Sequence, residues 1–256
     1  MSFKKVKLRQ VLEQGKIAIG PAISSFSPIM VEIAGYCGFD FVRIDNEHSL
    51  YSKDLLERMV ISAELTGLTP IVRVDQDDPY IIHKVLGLGA QGIIVPHVNT
   101  KEEAISAVNA AKFPPIGERG FGASHASRWG TQKRSDFVKW SNEETLVIAM
   151  IEDYRAIPNL DEILSVNGLD GVLFGPSDFS MSLGSEPSDP RVMEAFVKTI
   201  AAAEEHGKFV MRGIGHPYAE QAKKYIEMGV RVIECSHDTS TLKTIWEKLI
   251  PDIRER

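Results

Sequence analysis

Eight short apolar, β-branched runs alternate with longer segments of helical period along the chain, and few folds accept that rhythm. The runs are Ile17 to Ile23, Phe39 to Asp45, Thr69 to Val74, Gly92 to Val95, Thr145 to Ile151, Gly171 to Gly175, Phe209 to Ile214 and Val230 to Cys235. Between them the helix candidates include Lys53 to Thr66, Pro79 to Leu86, Lys101 to Lys112, Pro190 to His206 and Tyr218 to Met228. Such alternation signals a parallel sheet of βα units, and eight units close into an α/β (β/α)8 TIM barrel. A length of 256 residues suits one domain of that kind, spanning the whole chain. Gly38, Gly89, Gly168 and Gly229 each precede a strand and are predicted to end the foregoing helix in a left-handed conformation. The exception is residues 113–142, rich in proline, glycine and tryptophan with weak periodicity, which reads as a long loop with a functional role.

Composition excludes several classes of function. A net charge of −6 gives no general attraction for nucleic acid or anionic lipid, and no local basic patch compensates. The basic start MSFKKVKLRQ lacks an apolar stretch behind it and no later segment is apolar enough to span a membrane, so a cytoplasmic protein is expected. Cys37 and Cys235 stand far apart, outside any CxxC spacing, and are expected to be reduced and buried.

In a barrel, chemistry belongs at the C-terminal ends of the strands. Five consecutive predicted strands end in ionisable groups: Asp45, Glu47 and His48 after the second, Arg73 in the third, His97 after the fourth, Glu152 after the fifth and Asp178 after the sixth. Glu152 and Asp178 fall at adjacent strand mouths, where two carboxylates suit a hard octahedral ion, Mg2+ or Mn2+, with Co2+ left open. The plainer alternatives are a salt bridge for Glu152 and a helix cap for Asp178. His48 lies in an acidic cluster where Asp45 could orient its ring for general-base work; a bond to a loop carbonyl is the competing reading. Arg73, inside the apolar run PIVRV, must meet an anion in the barrel mouth, whether a substrate or a structural partner such as Glu47 or Asp45. His97, His125, His216 and His237 receive no role. GFGASHASRWG has no GxGxxG spacing and follows a helix, which argues against a dinucleotide site.

The motifs IDNEH, TPIVRV, GAQGIIVPHVNT, KFPPIGERGFGA, SRWG, IED and GVLFGPSDFSMSLG, in that order between about Gly20 and Cys235, resemble the HpcH/HpaI family of metal-dependent class II pyruvate aldolases. The resemblance implies a phosphoenolpyruvate/pyruvate-type (β/α)8 barrel whose last helix is swapped between subunits of a hexamer, a trimer of dimers. It implies cleavage or formation of a 4-hydroxy-2-oxo acid from pyruvate and an aldehyde. Glu152 and Asp178 would be the metal ligands, and His48, assisted by Asp45, would move protons by way of a bound water. Arg73 would hold the 2-oxo oxygen, and the backbone N–H groups of Ser177 and Asp178 the pyruvate carboxylate. Asn46 stands where many relatives carry a glycine or similar small residue, and SHASRWG is individual to this chain. Both departures bear on the acceptor side of the pocket. The alternatives are an oxaloacetate decarboxylase of the macrophomate-synthase kind or a citrate-synthase-like condensing enzyme on the same scaffold. From another class comes a catalytically silent barrel acting as a binding protein. A Schiff-base mechanism is disfavoured, because Lys84, Lys208 and the other lysines lack an acid partner in a suitable place.

Overall fold

Residues that are apolar on both sides of a strand can be buried on both faces, as a barrel wall requires, and the chain uses them so. The computed structural model describes residues 3–25, 27–48, 52–75 and 78–254. Among these the strands are β1 (Ala18–Ile23), β2 (Phe41–Asp45), β3 (Thr69–Arg73), β4 (Gly92–Val95), β5 (Leu146–Ile151), β6 (Gly171–Phe174), β7 (Phe209–Ile214) and β8 (Val232–His237). They form a closed barrel in sequence order with parallel neighbours throughout, β8 returning to β1. The helices are α1 (Lys7–Glu13), α2 (Pro28–Tyr36), α3 (Lys53–Leu65), α4 (Pro79–Gly87), α5 (Lys101–Ala111), α6 (Arg134–Glu144), α7 (Leu160–Leu164), α8 (Pro176–Ser182), α9 (Pro190–Glu205), α10 (Tyr218–Glu227) and α11 (Asp238–Arg254). No described helix is long and apolar enough to cross a membrane.

Local signals fix the boundaries. Thr100 and Glu103 close a reciprocal capping box at the start of α5, and Asp78 and Asp189 cap α4 and α9 ahead of a proline. Gly38, Gly89 and Gly229 directly follow the C-caps of α2, α4 and α10 with φ of 92° to 109°, as the helix-ending role predicted for them requires, whereas Gly168, φ 93°, lies four residues beyond the end of α7 in a separate turn. The long loop is shorter than expected, because α6 occupies its final third. That helix buries only Phe137 and Ser141 and is polar elsewhere, so its sequence carries little periodic signal. Cys37 is exposed and Cys235 half-buried, which corrects the expectation that both lie in the core; both are free thiols.

Alternation along the strands sorts the side chains into two apolar bodies. The outer one packs strands against helices and includes Val42, Ile44, Val72, Val147 and Val172. The inner one fills the barrel with Ala18, Phe41, Ile71, Ile94, Ile148, Leu173, Met211 and Val232, closed from below by Val6 and Leu8. Gly20 is required at this level: a Cβ there would stand 2.3 Å from the Phe41 carbonyl oxygen and 2.7 Å from its ring. Above the inner apolar layer come the charged ends of the strands. Gly20→Ala should therefore destabilise the protein by about 3 kcal/mol, the upper range for overpacking against rigid neighbours, as read from urea unfolding.

Candidate active site

The inward face of β2 carries Phe41, Arg43 and Asp45 in turn, and that of β3 carries Thr69, Ile71 and Arg73. Asp45 and Arg73 are direct partners across the two strands, so an acid and a base are set side by side with almost no exposure. Arg73 donates from Nε to Asp45 Oδ1 at 2.9 Å and from Nη2 to Oδ2 at 2.5 Å. Its Nη1 lies 2.7 Å from Glu47 Oε2 and reaches Met150 Sδ at 3.8 Å. Both structural partners foreseen for Arg73, Asp45 and Glu47, are thus present together. Burial would raise the Asp45 carboxyl, but the Arg73 hydrogen bonds and the charges of Arg43 and Arg73 outweigh it and hold it down at about 2.

Across the mouth, Glu152 follows β5 and is 3% exposed. The backbone N–H of His97 donates to its Oε1 at 2.8 Å, and His97 Nδ1 lies 3.1 Å from the same oxygen. His97 Nε2 stands 3.5 Å from Glu47 Oε1. Donor atoms of Glu47, His97 and Glu152 all lie within 4.8 Å of one another, an arrangement able to hold a metal ion. His97 reaches this position by taking a left-handed backbone, φ 56°. Burial pushes the Glu152 carboxyl up to about 7, and the charges of Glu47 and Asp178 add to the effect against the pull of His97.

The second Glu152 oxygen faces the other way. Oε2 would be 3.3 Å from a Cβ placed on Gly175, the residue before α8, and Asp178 lies in the first turn of that helix. Gly175 has no side chain, and so the turn into α8 can pass over Glu152. Asp178 shares a 450 Å³ cavity with Arg73, Met150, His48, Glu234 and His237. The residues fit a divalent cation on their own chemistry: the charges of Glu47 and Asp178 both act on the buried Glu152, donor atoms of Glu47, His97 and Glu152 converge within 4.8 Å, and oxygen donors suit a hard ion.

Arg73, Ser177, Asp178 and His48 line one cavity, Asp45 is bonded to Arg73, and Glu152 stands beside Gly175 on the cavity wall. His48 differs from the expectation in one respect. Its exposed ring stands near Glu47, with Nε2 3.8 Å from Oε2, whereas Asp45 accepts only its backbone N–H at 3.5 Å. Asp45 is occupied by two arginines and does not orient the ring. Lys208 donates to the Leu169 carbonyl below the barrel and Lys84 lies over the Tyr80 ring on α4, so neither reaches the cavity. Sequence reasoning missed Arg43, Glu234 and the part His97 plays beside Glu152. Spacing could have found the first, since Arg43 is two residues from Asp45 on one strand; the bend that turns His97 inward has no such signal.

The HpcH/HpaI aldolase/citrate lyase family model matches residues 22–243. The chain belongs to this family. It is accordingly an aldolase, a carbon–carbon lyase. The 5-keto-4-deoxy-D-glucarate aldolase of Escherichia fergusonii is 31% identical over 252 residues, 97% of both chains. Among solved structures, the HpcH/HpaI aldolase of Desulfitobacterium hafniense DCB-2 superposes with a TM-score of 0.92 at 30% identity over 98% of each chain. The citrate synthase SbnG superposes with a TM-score of 0.89 at 29% identity, again over 98% of each.

Asp45→Asn leaves Arg43 and Arg73 without their shared anion and should cost about 3–5 kcal/mol of folding stability at neutral pH. The folded carboxyl sits near 2, below its ordinary 3.8, so the stabilisation is complete above the ordinary value and fades as pH falls through about 2. Urea unfolding of both proteins across pH 2 to 7 should show the gap closing at the acid end.

Proposed function

We propose that this family member is a divalent-cation-dependent pyruvate aldolase that cleaves or forms a 4-hydroxy-2-oxo acid. The observation that carries the reading is the environment of Glu152, one oxygen tied to His97 and the other beside Gly175 at the entry to α8, with the charges of Glu47 and Asp178 both acting on it. Glu152 and Asp178 would hold Mg2+ or Mn2+, while Glu47 and His97 buttress Glu152 from behind. When bound there, the ion supplies positive charge that lowers the cost of the pyruvate enolate.

The chain's own residues do the rest. Arg73 is pinned along one edge by Asp45, and its Nη1 faces Met150 Sδ, a weak acceptor that a 2-oxo oxygen would replace. That fixed guanidinium stabilises the oxyanion with no reorganisation during reaction. The first N–H groups of a helix have no partner within it, and those of Ser177 and Asp178 would receive the pyruvate carboxylate. His48 Nε2 would take the proton of the 4-hydroxyl group in cleavage and return it in condensation, with the Glu47 carboxylate steadying the charged ring. A sugar-derived keto acid is the substrate class suggested by the name of the Escherichia fergusonii relative. The likeness to a citrate synthase supports a second reading, in which the same enolate meets a different electrophile or arises by oxaloacetate decarboxylation.

We also assign α11 to assembly. Its Ile245, Trp246, Leu249, Ile250 and Ile253 are exposed along one helix, which fits a helix swapped with a partner in a hexamer.

Glu152→Ala and Asp178→Ala should each abolish turnover and weaken Mn2+ binding at least about a hundredfold while the far-ultraviolet circular dichroism stays native. Full aldol cleavage in excess EDTA, or full activity in both variants, would remove the proposal. Pyruvate release from oxaloacetate without any aldehyde product would favour the second reading.

A further inference from the structure

Arg43 is 3% exposed inside the barrel. Its Nε and Nη2 grip both oxygens of Glu234 on β8, the Nη2 bond measuring 2.9 Å. Nη2 also stands 3.2 Å from His237 Nε2, and Nη1 lies 3.2 Å from Asp45 Oδ2. A guanidinium cannot accept, so His237 Nε2 must, which leaves Nδ1 to donate to Ser24 Oγ at 2.6 Å. The fork of Arg43 is therefore held from β8 on one side and presented to Asp45 on the other.

A buried ion pair gains little stability over well-packed apolar residues of the same size. The layer directly below this one is apolar, so packing alone would have been served by a Leu or Met at these positions. What an apolar pair could not do is set a second positive charge against Asp45 Oδ2, the oxygen that also accepts from Arg73 Nη2. We propose that Arg43, anchored by Glu234, is a positioning residue for Arg73, acting through the Asp45 carboxylate that both arginines share. Asp45 can turn about its own side-chain bonds, and Arg73 has two N–H groups committed to it. Loosening one edge of that carboxylate therefore displaces the guanidinium that faces the cavity. A displacement of about 1 Å in such a group can cost a hundredfold in rate.

The inference rests on the reading of Arg73 as the group that holds the 2-oxo oxygen, and the test separates the two. Exchange of the pyruvate methyl protons in D2O with saturating Mn2+ is followed by NMR in the wild type, in Arg73→Lys, in Arg43→Met with Glu234→Met, and in all three combined. The paired substitution removes both charges at once and should leave the melting temperature near the wild-type value while kcat for exchange falls about tenfold or more. In the Arg73→Lys background the same pair should cost no more than about twofold further, since the placement it supports is already lost. Wild-type exchange by Arg73→Lys would overturn the reading of Arg73 itself. An impaired Arg73→Lys beside an unimpaired pair, or losses that multiply in full, would overturn only the role of Arg43. If the paired variant does not fold, Arg43→Lys takes its place, keeping the charge without the fork: slower exchange supports the proposal and a wild-type rate refutes it.

Discussion

The carboxylate of Asp45 lies between two guanidinium groups in a layer that water scarcely reaches, and the geometry of the mouth follows from that contact. Charge buried at this depth persists only where opposite charge lies within hydrogen-bond reach. From β8 round to β3 the requirement is met in alternation, as Glu234, Arg43, Asp45 and Arg73, with Glu47 continuing the series toward His97. Each member is oriented by its neighbours, so the arginine facing the cavity is fixed by contacts that draw on three strands, β8, β2 and β3.

Around Glu152 the alternation fails. Burial raises the Glu152 carboxyl to about 7, with the charges of Glu47 and Asp178 adding to the effect while the His97 backbone N–H pulls against it. The same barrel therefore depresses one acid and elevates another across a single mouth. Asp45 stays ionised and structural, whereas Glu152 is left with unmet charge. A group in that state is suited to a cation, because binding removes the repulsion that burial would otherwise make costly.

Strand period and apolar content made the barrel legible: six of the expected runs match their strands at both ends to within one residue, and three of the four glycines expected to end a helix do so. The eighth strand begins and ends two residues later than expected, carrying His237 into the wall, since Val230 and Arg231 give no sign of where pairing starts. Ionisable groups at the barrel mouth were legible where a strand end alone places them, as with Glu152, Asp178 and Arg73. Pairings were not. That Asp45 would turn to Arg43 and Arg73 and leave the His48 ring to Glu47 depends on side-chain reach across strands, which spacing along one strand cannot encode. The α6 helix escaped because a helix that buries two residues has little to write into a periodic pattern.

The charged half of the mouth also explains where the open half lies. On β2, β3, β5 and β8 the topmost inward positions carry long ionisable chains, but the neighbouring positions after β6 and in β7 are Gly175 and Gly213. A Cβ at Gly213 would meet Glu234 Oε1 at an ordinary 3.5 Å, whereas one at Gly175 would press on Met150 and Glu152 at 2.7 and 3.1 Å. The two glycines thus serve different ends: the first keeps the cavity wide, the second lets the α8 turn close over Glu152 and bring Asp178 to it. A mouth that carries Asp45, Arg73 and Glu234 on one side and Gly175 and Gly213 on the other is asymmetric, and the open space of the cavity lies on the glycine side.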